Sequence, residues 1–439
     1  TDIPPISTGT APPVIAGDEP VLLAMNRLGF GPTPEAVNAF LELPGSTPRE
    51  KLDTYIEQQL DPQAIPDEKY LDRRARAQFK ALDLSLAEVW SNHVTHNPYK
   101  ENDDRHYAWL LLPAEEVRHD TMLRAVFSTR QLNEVLVDLW HNHFNVYAGN
   151  DEIAPAMVHY DTQVIRPNIL GNFRQMLEAV AASPAMLVYL NNNSSTDSGP
   201  NENFARELFE LHTLGAEHYL GVRPPQSVPG FEAGAAEGYV DNDVYETARC
   251  FTGWTVDNND WVEGFKNTGL FKYQRDWHDR YNKLILGRYI PADQADLQDG
   301  QAVLDMLAEH KGTARHVARK LCTRLVSDQP SQELVEGAAE VFYKQRSAPD
   351  QLKQVVRFIL HSDEFHASYG MKVKRPFEIA AGLLRALNAD FIRLRTDGTA
   401  VVYAKCANRV RGRQLRLGDF PRASQPLEPD GGSFGELVE

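Results

Sequence analysis

The densest run of reactive side chains reads Pro200-Asn-Glu-Asn-Phe-Ala-Arg-Glu-Leu-Phe-Glu-Leu-His-Thr-Leu-Gly215. Wound as an α-helix at about 100° per residue, it gathers Asn203, Arg206, Glu207, Glu210 and Leu214 on one face. Phe204, Leu208 and Leu211 fill a neighbouring face and Ala205 with Phe209 the far side, so the helix is expected to be buried. A buried carboxylate without a partner is costly, and the polar stripe must therefore find company. Two glutamates at i, i+3 can share a metal, act as acid and base with separated pKa values, or bracket an arginine. Arg206 beside Glu207 and Glu210 would equally make an internal ion-pair network that does no chemistry.

A second group is Trp140-His-Asn-His-Phe144. The apolar stripe Leu132, Val135, Leu136, Leu139 continues to His143, which leaves His141 about 200° away on a helix. The two histidines can meet at one metal only if the segment is extended; otherwise His143 is a satisfied core histidine and His141 a helix-end cation. Asn142 lies between them as a candidate contact to substrate. A third group is Phe251-Thr-Gly-Trp254 and Trp277-His-Asp279. Trp254 and Trp277, with Tyr189, are candidate platforms for sugar rings, core burial being the alternative for Trp254. His278-Asp279 would serve as a ligand pair or as a base with its orienting carboxylate. The oxygen-rich loop Asn191-Asn-Asn-Ser-Ser-Thr-Asp-Ser198 lacks the ligand order and glycine of an EF-hand and is expected to be a solvated turn. The sequence contains no G-x-S-x-G, Walker loop, dinucleotide fingerprint after a strand, or H-E-x-x-H, which sets aside the serine-hydrolase, P-loop, Rossmann and common zinc-protease classes.

The elements that must position these groups are mainly helical. Helical periodicity is expected over 21–28, 35–41, 48–60, 70–89, 115–140, 167–182, 203–214, 243–252, 301–326, 332–343, 352–360 and 376–387, with Thr33 as an N-cap. Strand-like text is confined to 264–287, which reads as a small hairpin, and to 399–403. Loops at 191–200 and 221–242 are long for a helical domain. With no fixed repeat and no dividing linker, the reading is a flexible segment over 1–19, one large helical domain over 20–390, and an extension of uncertain structure over 391–439.

The chain has 439 residues, 42% hydrophobic, and no run of eighteen apolar residues that would cross a membrane. Lys and Arg number 45 against 61 Asp and Glu, a net charge of −16 that argues against a nucleic-acid partner. Three cysteines, Cys250, Cys322 and Cys406, permit at most one disulfide and no zinc ribbon. The opening Thr-Asp-Ile-Pro-Pro, followed by Pro/Thr/Gly-rich text, reads as the new end of an exported protein after signal-peptide removal, secreted or periplasmic.

Taken together, the motifs resemble the bacterial domain-of-unknown-function family numbered eighteen hundred. The resemblance is carried by Asn26-Arg-Leu-Gly-Phe-Gly-Pro32, Leu139-Trp-His-Asn-His-Phe144, Leu170-Gly-Asn-Phe173 and Ser183-Pro-Ala-Met-Leu-Val-Tyr-Leu190. It continues through Asn201-Glu-Asn-Phe-Ala-Arg-Glu-Leu208, Thr213-Leu-Gly215, residues 248–254 and Leu286-Gly-Arg288, in family order from about residue 20 to 390. Residues 221–242 look like an insertion, a lid or a specificity element, and the text after Asp390 matches poorly. The resemblance implies export and a largely helical fold but supplies no mechanism.

Three functional expectations follow. The first is a hydrolase or lyase acting on extracellular polysaccharide, with Glu207, Glu210, His141, His143 and Arg206 as catalytic candidates and Asn203, Asn142, Tyr189, Trp254 and Trp277 at the substrate. The second is a metal-dependent hydrolase or oxidase, one divalent ion being held by His141, His143, Glu207 and His278. The third is a non-catalytic cell-surface or assembly protein whose polar groups form a core network.

Overall fold

Helices in this chain begin where a short polar side chain can take up free backbone amides, and they end where a distant one intrudes. Thr33 accepts from the Ala36 amide at 3.1 Å and starts Pro34–Leu41 as expected. The computed structural model describes residues 19–392 together with the backbone of Lys405 and Cys406. The strand-like 399–403, the opening Pro/Thr/Gly-rich stretch and the side chain of Cys406 lie outside the described residues.

Among the described residues the chain forms eighteen α-helices and three two-stranded antiparallel sheets, a mainly α protein. One continuous apolar core runs from Val21 in the first helix to Ala381 in the last. The hairpin expected within 264–287 resolves into two sheets. Trp254–Val256 pairs with Phe271–Tyr273, and Lys283–Ile285 turns through Leu286-Gly287 to pair with Arg288–Ile290.

Four helices expected to be continuous are broken. The one over 167–182 is a 3-10 turn to Asn168 and becomes α only at Phe173, where Asn172 accepts from the Arg174 amide at 3.0 Å. The other three breaks have equally definite causes. Within 115–140 the chain stops at Phe127 and restarts at Gln131. There Asp67 accepts from Ser128 Oγ at 3.0 Å and from the Thr129 amide at 2.8 Å, while Gln131 donates to the Ser128 carbonyl at 2.8 Å. Within 301–326, Gln298–Ala308 and Lys311–Leu325 are separated by His310, whose Nδ1 accepts from the Gly312 amide at 2.9 Å. Within 70–89, Gln78 takes the left-handed conformation and Ser85 opens Leu86–Trp90 with a capping box.

Three helical segments widen into π turns, Ser91–Thr95, Tyr160–Ile165 and Leu208–His212. Such turns leave backbone carbonyls with altered partners and cluster at sites where side chains intrude. The loop at 191–198 is not a solvated turn. Asn192 is buried and donates to the Phe251 and Trp254 carbonyls at 3.1 and 2.9 Å, and Gly253 donates to the Ser195 carbonyl at 3.1 Å, so the loop is pinned beneath the first sheet.

The interior also carries a chain of ions. Asp161, in the second π turn, accepts from Arg166 Nε at 2.7 Å, and Arg166 Nη1 reaches Glu134 at 2.8 Å. Arg124 stands 3.8 Å from Glu134 and donates to Asp120 at 2.7 Å, which in turn accepts from Tyr70 at 2.9 Å. Asp161 and Glu134 are each 5% exposed at the side chain, so removing the arginine between them leaves two buried carboxylates with only His141, 2.8 Å from Asp161, and Arg124, 3.8 Å from Glu134, to offset them. Arg166→Ala is expected to lower the unfolding free energy by about 3–5 kcal/mol in urea titration. Arg166→Met combined with Glu134→Gln and Asp161→Asn should recover most of that loss; if the triple variant is no better than the single one, the cost does not arise from stranded charge.

Candidate functional site

The polar stripe lies where the Glu202–Glu207 helix opens into the π turn Leu208–His212. Asn201 starts the helix by accepting from the Asn203 amide at 2.8 Å. Phe204, Ala205, Leu208 and Phe209 are buried, Phe209 stacking on Tyr239 at 4.8 Å, so the apolar faces seat the segment and the stripe is left half-buried.

Arg206 does not bracket the glutamates. Its terminal nitrogens stand 3.4 Å from Asp241 Oδ1, its guanidinium lies over the Tyr219 ring at 5.9 Å, and Tyr219 donates to the same Asp241 oxygen at 2.7 Å. Among the described residues neither Glu207 nor Glu210 has a hydrogen bond or an ion pair. Burial, then the charge of Glu210, raises the Glu207 carboxyl above its ordinary value, with Arg206 opposing. Next to them the Tyr239 hydroxyl is buried without a partner among the described residues, and burial and Glu210 raise its pKa. A half-buried carboxyl whose pKa is raised beside a second carboxylate is biased toward its protonated form, the direction a proton donor requires.

The widened turn exposes the backbone carbonyls at its end, and side chains from two other helices close on them. Thr213 Oγ1 donates to the Leu208 carbonyl at 2.6 Å, and the Gly215 amide to that of Phe209 at 3.0 Å. From Lys311–Leu325, Lys320 Nζ and His316 Nε2 both reach the Leu211 carbonyl at 3.3 Å. From Gln131–His143, His143 Nε2 donates to the His212 carbonyl at 3.1 Å. His143 Nδ1 takes Lys320 Nζ at 3.0 Å, which fixes a neutral ring with its proton on Nε2. Burial first, then Lys320, depresses His143 well below its ordinary value and holds His212 down to about 3. Gly215 has φ +92°, and a Cβ there would stand 2.6 Å from His316 Nδ1, so the turn closes only around glycine.

Other candidates fall elsewhere. Gln131–His143 is helical to its end, so His141 and His143 diverge; His141 Nε2 binds Asp161 at 2.8 Å and belongs to the buried ion chain. Asn142 is exposed and bonds back to the Asp138 carbonyl at 2.6 Å. Trp254 is 1% exposed and is a core residue, not a sugar platform. Trp277 is half-buried with its ring 5.8 Å from Phe265, and Tyr189 is 38% exposed. His278 is oriented not by its neighbour Asp279 but by Asp299, at 3.2 Å, with Nδ1 2.9 Å from the Thr252 carbonyl; Asp279 is held by Arg249 at 2.8 Å.

The proposed ligand set of His141, His143, Glu207 and His278 is therefore dispersed, because three of its members are spent on separate partners. Among the described residues no group of three or more His, Cys, Asp and Glu is arranged to hold a metal ion. Cys250 and Cys322 are buried free thiols, and burial pushes Cys322 up to about 12. Sequence reasoning missed Tyr219, Tyr239, Asp241, His316, Lys320 and Glu217, whose carboxylate stands 3.5 Å from His316 Nδ1; only the i, i+4 spacing of His316 and Lys320 hinted that they share a helix face.

A profile of the family described as protein of unknown function (DUF1800) matches residues 23–421, a span that continues past Asp390, where the quoted motifs end. No curated protein and no solved structure matches the chain.

The depressed histidines make stability depend on pH with a definite sign. Their ordinary value is 6.5 and their folded values lie below it, so on acidification the unfolded chain takes the protons first. The stabilisation is complete above about pH 6.5 and is lost as pH falls toward the folded values, by about 1.4 kcal/mol per pH unit for each histidine held neutral. Urea titrations from pH 7 to 5.5 should show this decline, and His212→Gln should flatten it by one histidine's share. An unchanged slope in that variant would mean that His212 is not held neutral in the fold.

Proposed function

The chain belongs to the DUF1800 family, and from the unpaired Glu207–Glu210 carboxylates on its half-buried stripe we propose that it is a secreted enzyme acting on extracellular polysaccharide by proton transfer. Glu207 is the proton donor, and the observation that carries the reading is its place, half-buried one turn from Glu210 with no hydrogen bond or ion pair among the described residues, a setting that raises its pKa. Carboxylates one helical turn apart fall at the short end of the ~5–9.5 Å separations used by glycosidases. Glu210 therefore serves to keep the proton on Glu207 and not to work from the opposite face of a sugar. Arg206, anchored by Asp241 and Tyr219, sits beside the donor where a hydroxyl or uronate carboxylate of substrate would arrive, and exposed Asn203 lies one turn earlier. Tyr189, 38% exposed and next to the Leu190 carbonyl that accepts from Asn203 at 3.5 Å, supplies a stacking surface. His143 acts on this site as a positioning residue through the His212 carbonyl. Both glycoside hydrolysis and eliminative cleavage are compatible with a donor carboxyl so placed.

A non-catalytic role has one observation in its favour: the histidines and lysine nearest the stripe are all engaged in holding its backbone. Activity of Glu207 variants separates the two. Screening of neutral and acidic polysaccharides, read by new reducing ends and by the ultraviolet absorbance of unsaturated products, should find turnover that falls about 10²–10⁴-fold in Glu207→Gln. The same variant should be at least as thermostable as the parent at neutral pH. A carboxyl whose folded value is raised above 4.5 costs stability once pH rises through that window, and glutamine removes the cost. The thermal advantage should shrink as pH approaches 4.5. A folded Glu207→Gln protein with undiminished turnover would remove Glu207 from the chemistry, and a parent inactive on every polymer would leave the non-catalytic role.

A further inference from the structure

Residues 221–242 fold as short 3-10 turns, and they wall a cleft of about 550 Å³ at the head of the Lys311–Leu325 helix. The wall is held in place from both sides. His310 Nε2 donates to the Ala236 carbonyl at 2.8 Å while its Nδ1 accepts from the Gly312 amide, so one neutral ring both caps the helix and clamps the insertion. From the hairpin, Arg288 Nε donates to the Gly234 carbonyl at 2.8 Å, and the Ala236 amide bonds the Leu286 carbonyl at 3.3 Å.

The charges in this cleft run against those of the molecule. The chain carries a net charge of −16, yet the cleft collects Arg288, Lys311 and Arg315 against Glu237 and Glu309. Arg315 is committed to Glu336 at 3.0 Å. Among the described residues Lys311 Nζ and the two terminal nitrogens of Arg288 have no hydrogen bond or ion pair, and Lys311 lies over the Tyr343 ring at 5.7 Å. His218 donates from Nδ1 to the Leu214 carbonyl at 2.7 Å, which leaves Nε2 toward the cleft. A Cβ at residue 312 would stand 3.1 Å from that Nε2, so the glycine makes the room. Two cations without a carboxylate partner and hydroxyl-accepting glutamates are what a charged sugar ring requires, and Tyr343 borders them with its ring already beneath Lys311 and Arg346, at 5.7 and 4.8 Å.

We propose that this cleft is an anion-binding subsite that takes the carboxylate of a uronic-acid residue, with Arg288 and Lys311 as its ligands and His218 and Tyr343 at the ring. The proposal rests on the carbohydrate reading above and narrows it to acidic polymers. His218 ties the cleft to the Glu207 segment, because the Leu214 carbonyl it holds lies at the end of the same turn. The insertion is thereby given a role in specificity.

Isothermal titration of the full chain with a short oligogalacturonate tests it. Binding should occur, should weaken as salt is raised, and should be lost for the fully methyl-esterified oligomer, which is the same sugar without its charge. Arg288→Gln and Lys311→Gln should each weaken binding about ten-fold, Lys311→Gln at unchanged thermal midpoint and Arg288→Gln with the small drop that loss of its Gly234 hydrogen bond brings. Glu207→Gln should bind like the parent. Equal affinity for acid and ester, no binding by the parent, or undiminished binding by both cation variants would overturn the subsite. So would inorganic phosphate binding where oligogalacturonate does not, since the cleft would then hold a free anion. Oligogalacturonate binding that depends on Arg288 and Lys311, in a protein that cleaves no polymer, would leave the subsite standing and overturn the Glu207 chemistry.

Discussion

The carbonyls of Leu211 and His212 govern the arrangement of this molecule. A helix that ends in a wide turn inside a protein leaves oxygen atoms that must be hydrogen-bonded or bear a large desolvation cost. Here two helices, Gln131–His143 and Lys311–Leu325, are brought in to supply the donors, through His143, His316 and Lys320. His143 can do this only as a neutral ring, because its Nδ1 accepts from the half-buried Lys320 ammonium while its Nε2 donates, and burial and that ammonium both oppose a charge on it. The orientation of both helices, the protonation of His143 and the placement of the Glu207–Glu210 stripe are thus one problem with one solution.

The distribution of cations follows from it. Most arginines in the interior are consumed by carboxylates: Arg166 by Asp161 and Glu134, Arg249 by Asp279 and Glu246, Arg324 by Glu378. Even fully buried Lys283 is spent, on Asp299 at 2.5 Å. These networks consume polar groups without creating reactivity. Buried Arg27 and Arg385 are spent instead on backbone carbonyls, and Glu207 and Glu210, without a cation, and Arg288 and Lys311, without an anion, are among the described charged groups that no ion pair absorbs. These two pairs lie at opposite ends of the 207–218 segment and its neighbours, so the proposed catalytic pair and the proposed anion subsite are joined by one stretch of chain.

Much of the fold was legible because helical periodicity survives in short windows. Thr33, the stripe from Asn203 to Glu210, and the continuation of an apolar face to His143 could all be read from local spacing. The breaks could not. What stops the chain at Phe127 is Asp67, and what orients His278 is Asp299; in each case the decisive group is distant in sequence and its effect is a hydrogen bond, which has no period. Trp254 misled for a related reason: a tryptophan beside a glycine reads as a platform until Asn192 and Gly300 are seen to pack it inside. The site was half legible. Its carboxylates share one helix face, but Tyr219, Tyr239 and Asp241 arrive from beyond a loop, and Lys320 from a helix a hundred residues later.

The π turn at Leu208–His212 has an implication for how such a protein can change over descent. A π turn is an α-helix carrying one surplus residue, and excising that residue restores the regular helix at no loss of backbone pairing. In this chain the excision would rotate everything from the turn onward by about 100° and would withdraw the two carbonyls that His143, His316 and Lys320 hold. A single-codon deletion between Glu207 and Glu210 would thus convert the segment into an ordinary helix with its carboxylates at i, i+2, about 200° apart. Relatives that lack the residue should be those in which the lysine and histidines of the facing helices have drifted to apolar types.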